Sequence, residues 1–302
     1  MKKRLFDSEM KAHRFNLDKL SLTGVLAAIV ATGGVLLIAA AFLTRGSKSA
    51  SAATTALLCS LTSSSGGGPG YPAQYDATPM QLKAILHYAT SRVVPQQTLA
   101  EVRLSFDVLM ELSPCNFLVF GLGYDSLMWA GLNPRGTTVF LEEDPKWLHT
   151  VSERNPSLRA FHVNYNTQLS EADDLLSVAR DDPECAPDRV RLGSRSRCRL
   201  MLPGLPDEIY DKEWDVIMID APRGYFPEAP GRMGAIFTAA AMAWRRVKPG
   251  VTHVFLHDVD RRVEKLYAKE FLCMSNKVEG TGRLWHFKIS PSSNTSRSTF
   301  CS

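Results

Sequence analysis

Two apolar segments late in the chain are each followed by polar side chains that could do chemistry. Asp220 follows residues 214–219, and His257 and Asp258 follow residues 252–256. A carboxylate or an imidazole within about 3 Å of a hydroxyl proton can act as a general base while that oxygen attacks an electrophile. Asp220, His257 and Asp258 are therefore the candidate catalytic residues. An oxygen-rich cluster of this kind could instead hold a divalent metal cation that polarises the hydroxyl.

A glycine-containing bend and a pair of acids form a second group of candidates. Gly121 and Gly123 follow an earlier apolar run, and the bend continues through Asp125. Glycines let the backbone turn tightly and approach a bound cofactor. Glu142 follows the next apolar run, where an acid can accept hydrogen bonds from both ribose hydroxyls of a nucleoside. Glu143 is the second candidate for that contact, so these five residues predict a cofactor site.

The bend lacks the third glycine of a dinucleotide fingerprint, because Ser126 stands at that position. In a dinucleotide site that glycine and the following helix N-terminus approach a pyrophosphate. The pattern therefore favours S-adenosylmethionine, which has no pyrophosphate, over a nicotinamide cofactor. A nicotinamide-dependent sugar dehydrogenase is the alternative enzyme class.

Residues 223–232 form a segment rich in glycine and proline between Asp220 and the other two catalytic candidates. Arginine can bind a carboxylate through two parallel hydrogen bonds, and an aromatic ring can stack on a sugar. Arg223, Tyr225 and Arg232 are therefore candidate contacts to an acidic sugar. The alternative interpretation is a surface loop whose arginines form salt bridges.

The elements that must position these residues alternate along the chain. Apolar runs predict strands over 116–120, 137–141, 160–163, 214–219, 252–256 and 283–289. Helices are predicted from an N-cap at Thr78, over 97–111, and over 145–154, 170–180 and 232–247. This alternation predicts an α/β fold with a mostly parallel, doubly wound sheet. Ligands of such sheets bind beyond the carboxyl ends of the strands, so we expect all the candidates to meet there.

The N-terminal part predicts a membrane anchor. Residues 22–43 contain no charged side chain, and about 20 apolar residues span a bilayer core. More basic residues precede this run than follow it, which predicts a cytosolic tail at 1–20 and a type II anchor at 21–43. A cleaved signal peptide is the alternative. A flexible lumenal stem is expected at 44–72, a folded domain at 73–290, and a polar tail at 291–302 with a sequon at Asn294.

Composition and cysteine spacing narrow the function classes. The net charge is only +4, from 35 basic and 31 acidic residues, and no basic stripe follows the N-terminus, so nucleic acid is not an expected partner. The six cysteines lack zinc-site spacing. In an oxidising lumen they could form disulfides, with Cys185–Cys198 the first candidate pair and Cys115–Cys273 the second. The alternative is that they are buried free thiols.

Five motifs resemble those of the plant glucuronoxylan 4-O-methyltransferases. They are CNFLVFGLGYDSLMW (115–129), VFLEED (139–144), WDVIMIDAPRGYFPEAPGRM (214–233), HVFLHDVDR (253–261) and GRLWHF (282–287). The irregular-xylem proteins of the same superfamily differ, with Thr-His-Glu where this chain has Gly123-Tyr124-Asp125, and without the EAP at 228–230. The chain therefore groups with the methyltransferases.

The resemblance implies a Rossmann-like fold that uses S-adenosylmethionine to methylate O-4 of glucuronic acid on glucuronoxylan during wall synthesis. It also implies residence in the Golgi membrane with the catalytic domain in the lumen. Two alternatives stay open: a related enzyme acting on another uronate-bearing polymer such as arabinogalactan, or a non-catalytic Golgi protein needed for xylan assembly. The sequence makes no prediction of oligomeric state.

Overall fold

A computed structural model describes residues 77–291 and 298–301 of the chain. The predicted cytosolic tail, membrane anchor and stem, the predicted start of the domain at 73, and the sequon at Asn294 all lie outside these residues. Within them, no helix is both long enough and apolar enough to cross a bilayer.

Seven strands form one sheet in the order β3-β2-β1-β4-β5-β7-β6. The strands are β1 Asn116–Phe120, β2 Thr137–Glu142, β3 Arg159–His162, β4 Val216–Ile219, β5 Thr252–Leu256, β6 Lys277–Thr281 and β7 Leu284–Ile289. The first five are parallel, whereas β7 pairs antiparallel with both β5 and β6. The predicted mostly parallel sheet is confirmed, and β6 is an additional strand that the sequence reading missed.

Eight α-helices connect or flank the strands in the described part of the chain. They are α1 Pro79–Thr90, α2 Leu99–Leu112, α3 Ser126–Leu132, α4 Pro145–Arg154, α5 Ala172–Asp181, α6 Asp207–Asp211, α7 Met233–Trp244 and α8 Arg262–Tyr267. Thr78 caps α1 through the predicted capping box with Gln81. Asp144 caps α4, with Pro145 in its first turn.

The sheet is covered on both faces, which is why its strands are continuously apolar. Alternate side chains such as Leu118 and Ile217 pack with α5, α7 and α8. Their neighbours, such as Phe117 and Val216, pack with α1, α2, α3 and α4 on the other face. Since the five parallel strands run the same way, the segments that leave their carboxyl ends lie along one edge of the sheet.

Two disulfides stabilise connections outside the sheet. Cys185 and Cys198 are bonded, as predicted. Cys273 bonds to Cys301, and Cys115 is a buried free thiol, so the predicted Cys115–Cys273 pair is wrong. The C-terminal segment is also part of the fold, because Phe300 is buried against aromatic rings of α7 and of the turn after α8. The predicted domain boundary at 290 is corrected accordingly.

Candidate active site

The three catalytic candidates lie side by side at the carboxyl ends of β4 and β5. The backbone N–H of Asp220 donates to the carbonyl of Phe120 at 3.0 Å, and that of His257 donates to the carbonyl of Ile219 at 3.0 Å. These bonds continue the parallel ladder one residue past each strand. The residues after β4 and β5 are therefore held as firmly as the sheet itself.

Asp220 and His257 form a hydrogen-bonded pair. His257 Nδ1 lies 2.9 Å from Asp220 Oδ1. The His257 side chain is 3% exposed, whereas the Asp220 side chain is 28% exposed. Asp220 is thus the catalytic candidate whose carboxylate can contact a bound molecule. His257 is buried and fixes that carboxylate through their hydrogen bond.

Arg232, at the start of α7, binds both neighbouring carboxylates. Its Nη2 lies 3.1 Å from Asp220 Oδ1 and 2.8 Å from Asp258 Oδ2. Its Nε donates to the carbonyl of Pro222 at 3.2 Å, and its Nη1 donates to that of His257 at 2.8 Å. The side chain is 4% exposed. This burial corrects the prediction that Arg232 contacts an acidic sugar, because its donors already have partners inside the protein.

Asp258 is also held by guanidinium groups. In addition to Arg232, Arg261 Nη2 lies 2.8 Å from Oδ2, and Arg283 Nη1 lies 2.6 Å from Oδ1. The Asp258 side chain is 5% exposed. A carboxylate with three cationic partners and no open surface fits a positioning role better than that of a base that contacts the reacting hydroxyl.

The local charges keep Asp220 ionised. Burial acts to raise its pKa, but the hydrogen bond from His257 and the charge of Arg232 outweigh burial and lower the pKa to about 2. Burial acts to lower the pKa of His257, but the hydrogen bond and charge of Asp220 outweigh it and raise that pKa. An ionised carboxylate only accepts hydrogen bonds, so the Nδ1–H of His257 is the donor in this pair.

The same residues offer a set of metal-type ligands. One ligand atom each from Asp220, His257 and Asp258 lies within 4.8 Å of the others. However, the Arg232 guanidinium already contacts both carboxylates, so a fixed positive charge balances the cluster. A divalent cation would compete with that guanidinium for the same oxygens, and we assign no metal-dependent step to this site.

The glycine bend lies next to Asp220. Gly121 has φ of 125°, and a Cβ at this position would lie 3.3 Å from Cβ of Ala221, the residue after Asp220. The Asp125 carboxylate accepts a hydrogen bond from Trp129 Nε1 at 2.8 Å. Burial is the main cause that raises the pKa of Asp125 to about 6, and the negative charge of Asp220 is the second. The Asp125 carboxylate of the predicted cofactor bend therefore lies close enough to the Asp220 carboxylate for the two charges to interact.

The two acids at the end of β2 have different surroundings. Glu142 is buried, and its carboxylate accepts from the backbone N–H of Leu122 at 3.1 Å and of Asp144 at 2.8 Å. Burial raises its pKa despite these bonds. Glu143 accepts from the backbone N–H and the Nε of Arg223, at 3.1 and 2.8 Å. Glu142 thus stabilises the glycine bend and Glu143 fixes the 223–232 segment, while a ribose contact of either acid stays a prediction.

Two of the three predicted sugar contacts are open to solvent. The Arg223 side chain is 51% exposed, and Tyr225 is 54% exposed. The guanidinium carbon of Arg261 lies 6.0 Å from the centre of the Tyr225 ring. The exposed part of the segment that follows Asp220 therefore presents one arginine and one aromatic ring to solvent.

Sequence reasoning missed two residues that α2 and its N-terminus bring to the site. Gln97 Nε2 donates to Asp220 Oδ2 at 3.3 Å, and Glu101 Oε1 lies 3.6 Å from His257 Nε2. Thr98 and Glu101 form a capping box that fixes the start of α2. That pattern could have located the helix start, but no local signal indicates that the helix lies against β4 and β5.

Comparison with known proteins identifies relatives over most of the chain. The sequence profile of the IRX15/IRX15L/GXM family matches residues 100–287. Arabinogalactan O-methyltransferase 1 of Arabidopsis thaliana is 63% identical over 219 residues, covering 72% of this chain and 76% of that protein. Glucuronoxylan 4-O-methyltransferase 1 of the same plant is 51% identical over 207 residues, covering 68% of this chain and 72% of that protein.

A solved structure, that of a putative caffeoyl-CoA O-methyltransferase from Staphylococcus aureus, is 11% identical with a TM-score of 0.36 and covers 72% of this chain and 94% of its own. The resemblance carried by the five sequence motifs is confirmed at the level of the family by the profile match and the two plant relatives. The chain belongs to the IRX15/IRX15L/GXM family.

Proposed function

We propose that this protein transfers a methyl group from S-adenosylmethionine to a uronic acid hydroxyl of a plant wall polysaccharide, with arabinogalactan as the preferred acceptor. The observation that carries the proposal is the Asp220 carboxylate, ionised and partly exposed, beside the glycine bend at the carboxyl ends of β1 and β4. O-methyl transfer as the reaction class is supported by the names of the plant relatives.

The acceptor is the finer part of the proposal. The sequence motifs alone favour glucuronoxylan, but identity is 63% with the arabinogalactan relative and 51% with the glucuronoxylan relative. We therefore rank arabinogalactan first and glucuronoxylan second. Both are uronate-bearing polymers, so the same exposed arginine could serve either acceptor.

The residues around the glycine bend suit an adenosyl donor. Gly121 and Gly123 add no side chains of their own to the bend, while Asp125, Glu142 and Glu143 supply carboxylate acceptors. S-adenosylmethionine, when bound, supplies an electrophilic methyl group. Ser126 disfavours a nicotinamide dinucleotide, because it accepts a hydrogen bond from Gly123 N at 2.9 Å in the turn where the third glycine would stand.

In this proposal the Asp220 carboxylate accepts a hydrogen bond from the acceptor hydroxyl. A carboxylate with a pKa of about 2 draws a proton only weakly. Its larger contribution is to orient the hydroxyl oxygen toward the methyl carbon, since the displacement requires an in-line arrangement. His257 and Gln97 each hold one carboxylate oxygen, so the orientation of Asp220 is set from two sides.

Arg223 is the proposed contact to the uronate carboxylate. Glu143 fixes its Nε, and half of the side chain is exposed. The remaining N–H donors can bind a carboxylate in the geometry that guanidinium groups favour. Tyr225, also exposed, offers a ring face to the same sugar.

Location in the Golgi membrane, with this domain in the lumen, is part of the proposal. It rests on the uncharged run at 22–43 and its basic N-terminal flank. The Cys185–Cys198 and Cys273–Cys301 disulfides support an oxidising compartment.

The proposal is tested by incubating the full chain with methyl-labelled S-adenosylmethionine and four acceptors. These are uronate-bearing arabinogalactan, glucuronoxylan, and the carboxyl-reduced form of each. We expect label in both native polymers, more in arabinogalactan, and much less in the reduced forms. Label in glucuronoxylan alone would reverse the acceptor ranking. Bound donor without label in any acceptor would instead favour the non-catalytic alternative.

A further inference from the structure

A loop far from Asp220 carries a cluster of exposed arginines. Five arginines occur within residues 189–199, and all five are exposed. Arg199 pairs with Glu171 at 2.8 Å. The side chains of the other four, Arg189, Arg191, Arg195 and Arg197, make no ion pair or hydrogen bond with any residue in 77–291 or 298–301. The loop therefore presents unneutralised positive charge to solvent.

Two of these arginines line a cavity of about 450 Å³. Its charged lining consists of Arg191, Arg195, Lys212, Arg245, Asp211 and Glu213. Ligand pockets commonly measure roughly 300–1,000 Å³, so the cavity can hold a small oligosaccharide segment. Four basic groups against two acidic ones give it a positive balance.

One of the acidic groups is already bonded within the protein. The Glu213 carboxylate accepts from the backbone N–H of Val247 at 2.8 Å and of Lys248 at 3.1 Å. Its charge is thus partly compensated by backbone dipoles. The electrostatic preference of the cavity is for an anion.

The wall of the cavity has a fixed shape. A Cβ on Gly193, which has φ of 71°, would lie 2.7 Å from the Tyr210 ring, so only glycine lets the loop pack against that ring. The Tyr210 hydroxyl donates to the carbonyl of Leu202 at 2.5 Å and accepts from Leu205 N at 3.2 Å. The Cys185–Cys198 disulfide closes the loop. Together these contacts hold an aromatic ring beside the arginines.

We propose that this cavity binds a uronate-bearing segment of the acceptor polysaccharide, separate from the sugar that is methylated. It lies at the amino ends of the strands, because Glu213 precedes β4 and Val247 precedes β5. The extended chain from residue 213 to residue 220 spans roughly 20 Å at about 3.3 Å per residue. One sugar cannot reach both sites, so the cavity recognises a polymer. A concave wall with a tyrosine ring fits a sugar better than it fits the flat anionic surface of a membrane.

The inference rests on the proposed acidic acceptor, and it is tested with two matched double variants of the full chain. R191A/R195A removes the two arginines of the loop that line the cavity. R189A/R197A removes the same charge from the same loop outside the cavity. Affinity electrophoresis in uronate-bearing arabinogalactan measures polymer binding, and sedimentation with phosphatidylserine vesicles measures membrane binding. Methyl transfer is measured on the polymer and on a short uronate oligosaccharide.

We expect R191A/R195A to weaken polymer binding about five- to tenfold, since exposed charge contacts are individually modest, and to raise KM for the polymer but not for the oligosaccharide. R189A/R197A should stay close to wild type. Three results would overturn the inference: equal losses of polymer binding in the two variants, no loss of polymer binding in either, or loss of vesicle binding alone. Polymer binding that depends on Arg191 and Arg195 in a protein that transfers no methyl group would uphold the cavity and reject the proposed function.

Discussion

At the carboxyl ends of β4 and β5, charged side chains are buried and bind one another. Arg232 is 4% exposed and contacts two carboxylates. At the amino ends of the same strands, Arg191 and Arg195 are exposed, and their side chains form no ion pair or hydrogen bond within residues 77–291 and 298–301. A buried charge that loses its partner costs several kcal/mol, whereas an exposed one costs little. We conclude that the buried charges at the carboxyl ends fix the geometry of the candidate active site. The exposed arginines at the amino ends are available to a ligand.

The largest effect that tests this comparison is expected from Asp220→Asn. The variant keeps the size of the side chain but removes the charge that orients the acceptor hydroxyl. Methyl transfer should fall by about 10³-fold, because the hydroxyl loses both its orientation toward the methyl carbon and its weak base. Circular dichroism and affinity for S-adenosylmethionine should stay unchanged. An activity within tenfold of wild type would remove Asp220 from the mechanism.

The next effect is on stability and concerns Arg232. Arg232→Ala leaves Asp220 and Asp258 without a shared partner, so the free energy of unfolding should fall by about 3–5 kcal/mol. Urea denaturation measures this loss. Arg223→Ala is the matched control, because Arg223 is half exposed and its loss should cost less than about 1 kcal/mol. Similar losses in the two variants would contradict the division into buried and exposed charges.

A smaller effect is expected on the pH dependence of the free energy of unfolding. The folded pKa of Asp220 is about 2, below its ordinary value of 3.8, so the unfolded state binds the proton more readily. Stability from this carboxyl is present above about pH 4 and is lost as pH falls toward 2, by about 2 kcal/mol in total. In Asp220→Asn, the curve of unfolding free energy against pH should be flatter in this window. Parallel curves would show that Asp220 does not titrate as the buried ion pair requires.

The smallest effect is expected at the exposed edge of the site. Arg223→Ala should raise KM for uronate-bearing arabinogalactan about five- to tenfold, because an exposed guanidinium–carboxylate contact is lost. Its KM for the carboxyl-reduced polymer should not change. A matching rise for both acceptors would indicate that Arg223 acts through its bond to Glu143 and not through the substrate.

Much of the fold follows from local signals in the sequence. The predicted runs at 116–120 and 252–256 coincide with β1 and β5, and Asp144–Pro145 marks the start of α4. Buried strands must be apolar along their whole length, and helix starts need side-chain acceptors for free N–H groups. These requirements are met by residues close in sequence, so they can be read without tertiary information.

Features that depend on distant partners could not be predicted in this way. Strand β6 is polar and largely exposed, and pairing with β7 alone defines it. Cys115 lies beside Asn133, to which its backbone N–H donates at 3.0 Å, while Cys273 finds Cys301 near the end of the chain. Both outcomes depend on packing that spacing does not encode.

The candidate site shows the same division. A doubly wound sheet requires that residues at the carboxyl ends of β1, β2, β4 and β5 meet, and Gly121, Glu142, Asp220 and His257 do so. The prediction for Arg232 was wrong because a segment rich in glycine and proline suggests exposure. Its buried position follows from two carboxylates that approach it from β4 and β5, and no local pattern indicates them.

The central claim is that the bend at Gly121 holds an adenosyl donor beside Asp220. Isothermal titration calorimetry of S-adenosylmethionine into the full chain, into Asp220→Asn and into Gly121→Ala tests it most directly. We expect one donor per chain in the wild type and in Asp220→Asn, and much weaker binding in Gly121→Ala, whose new Cβ would crowd Ala221 at a φ that favours glycine. A wild-type protein with no measurable affinity for the donor, or a Gly121→Ala variant that binds it equally well, would contradict the account.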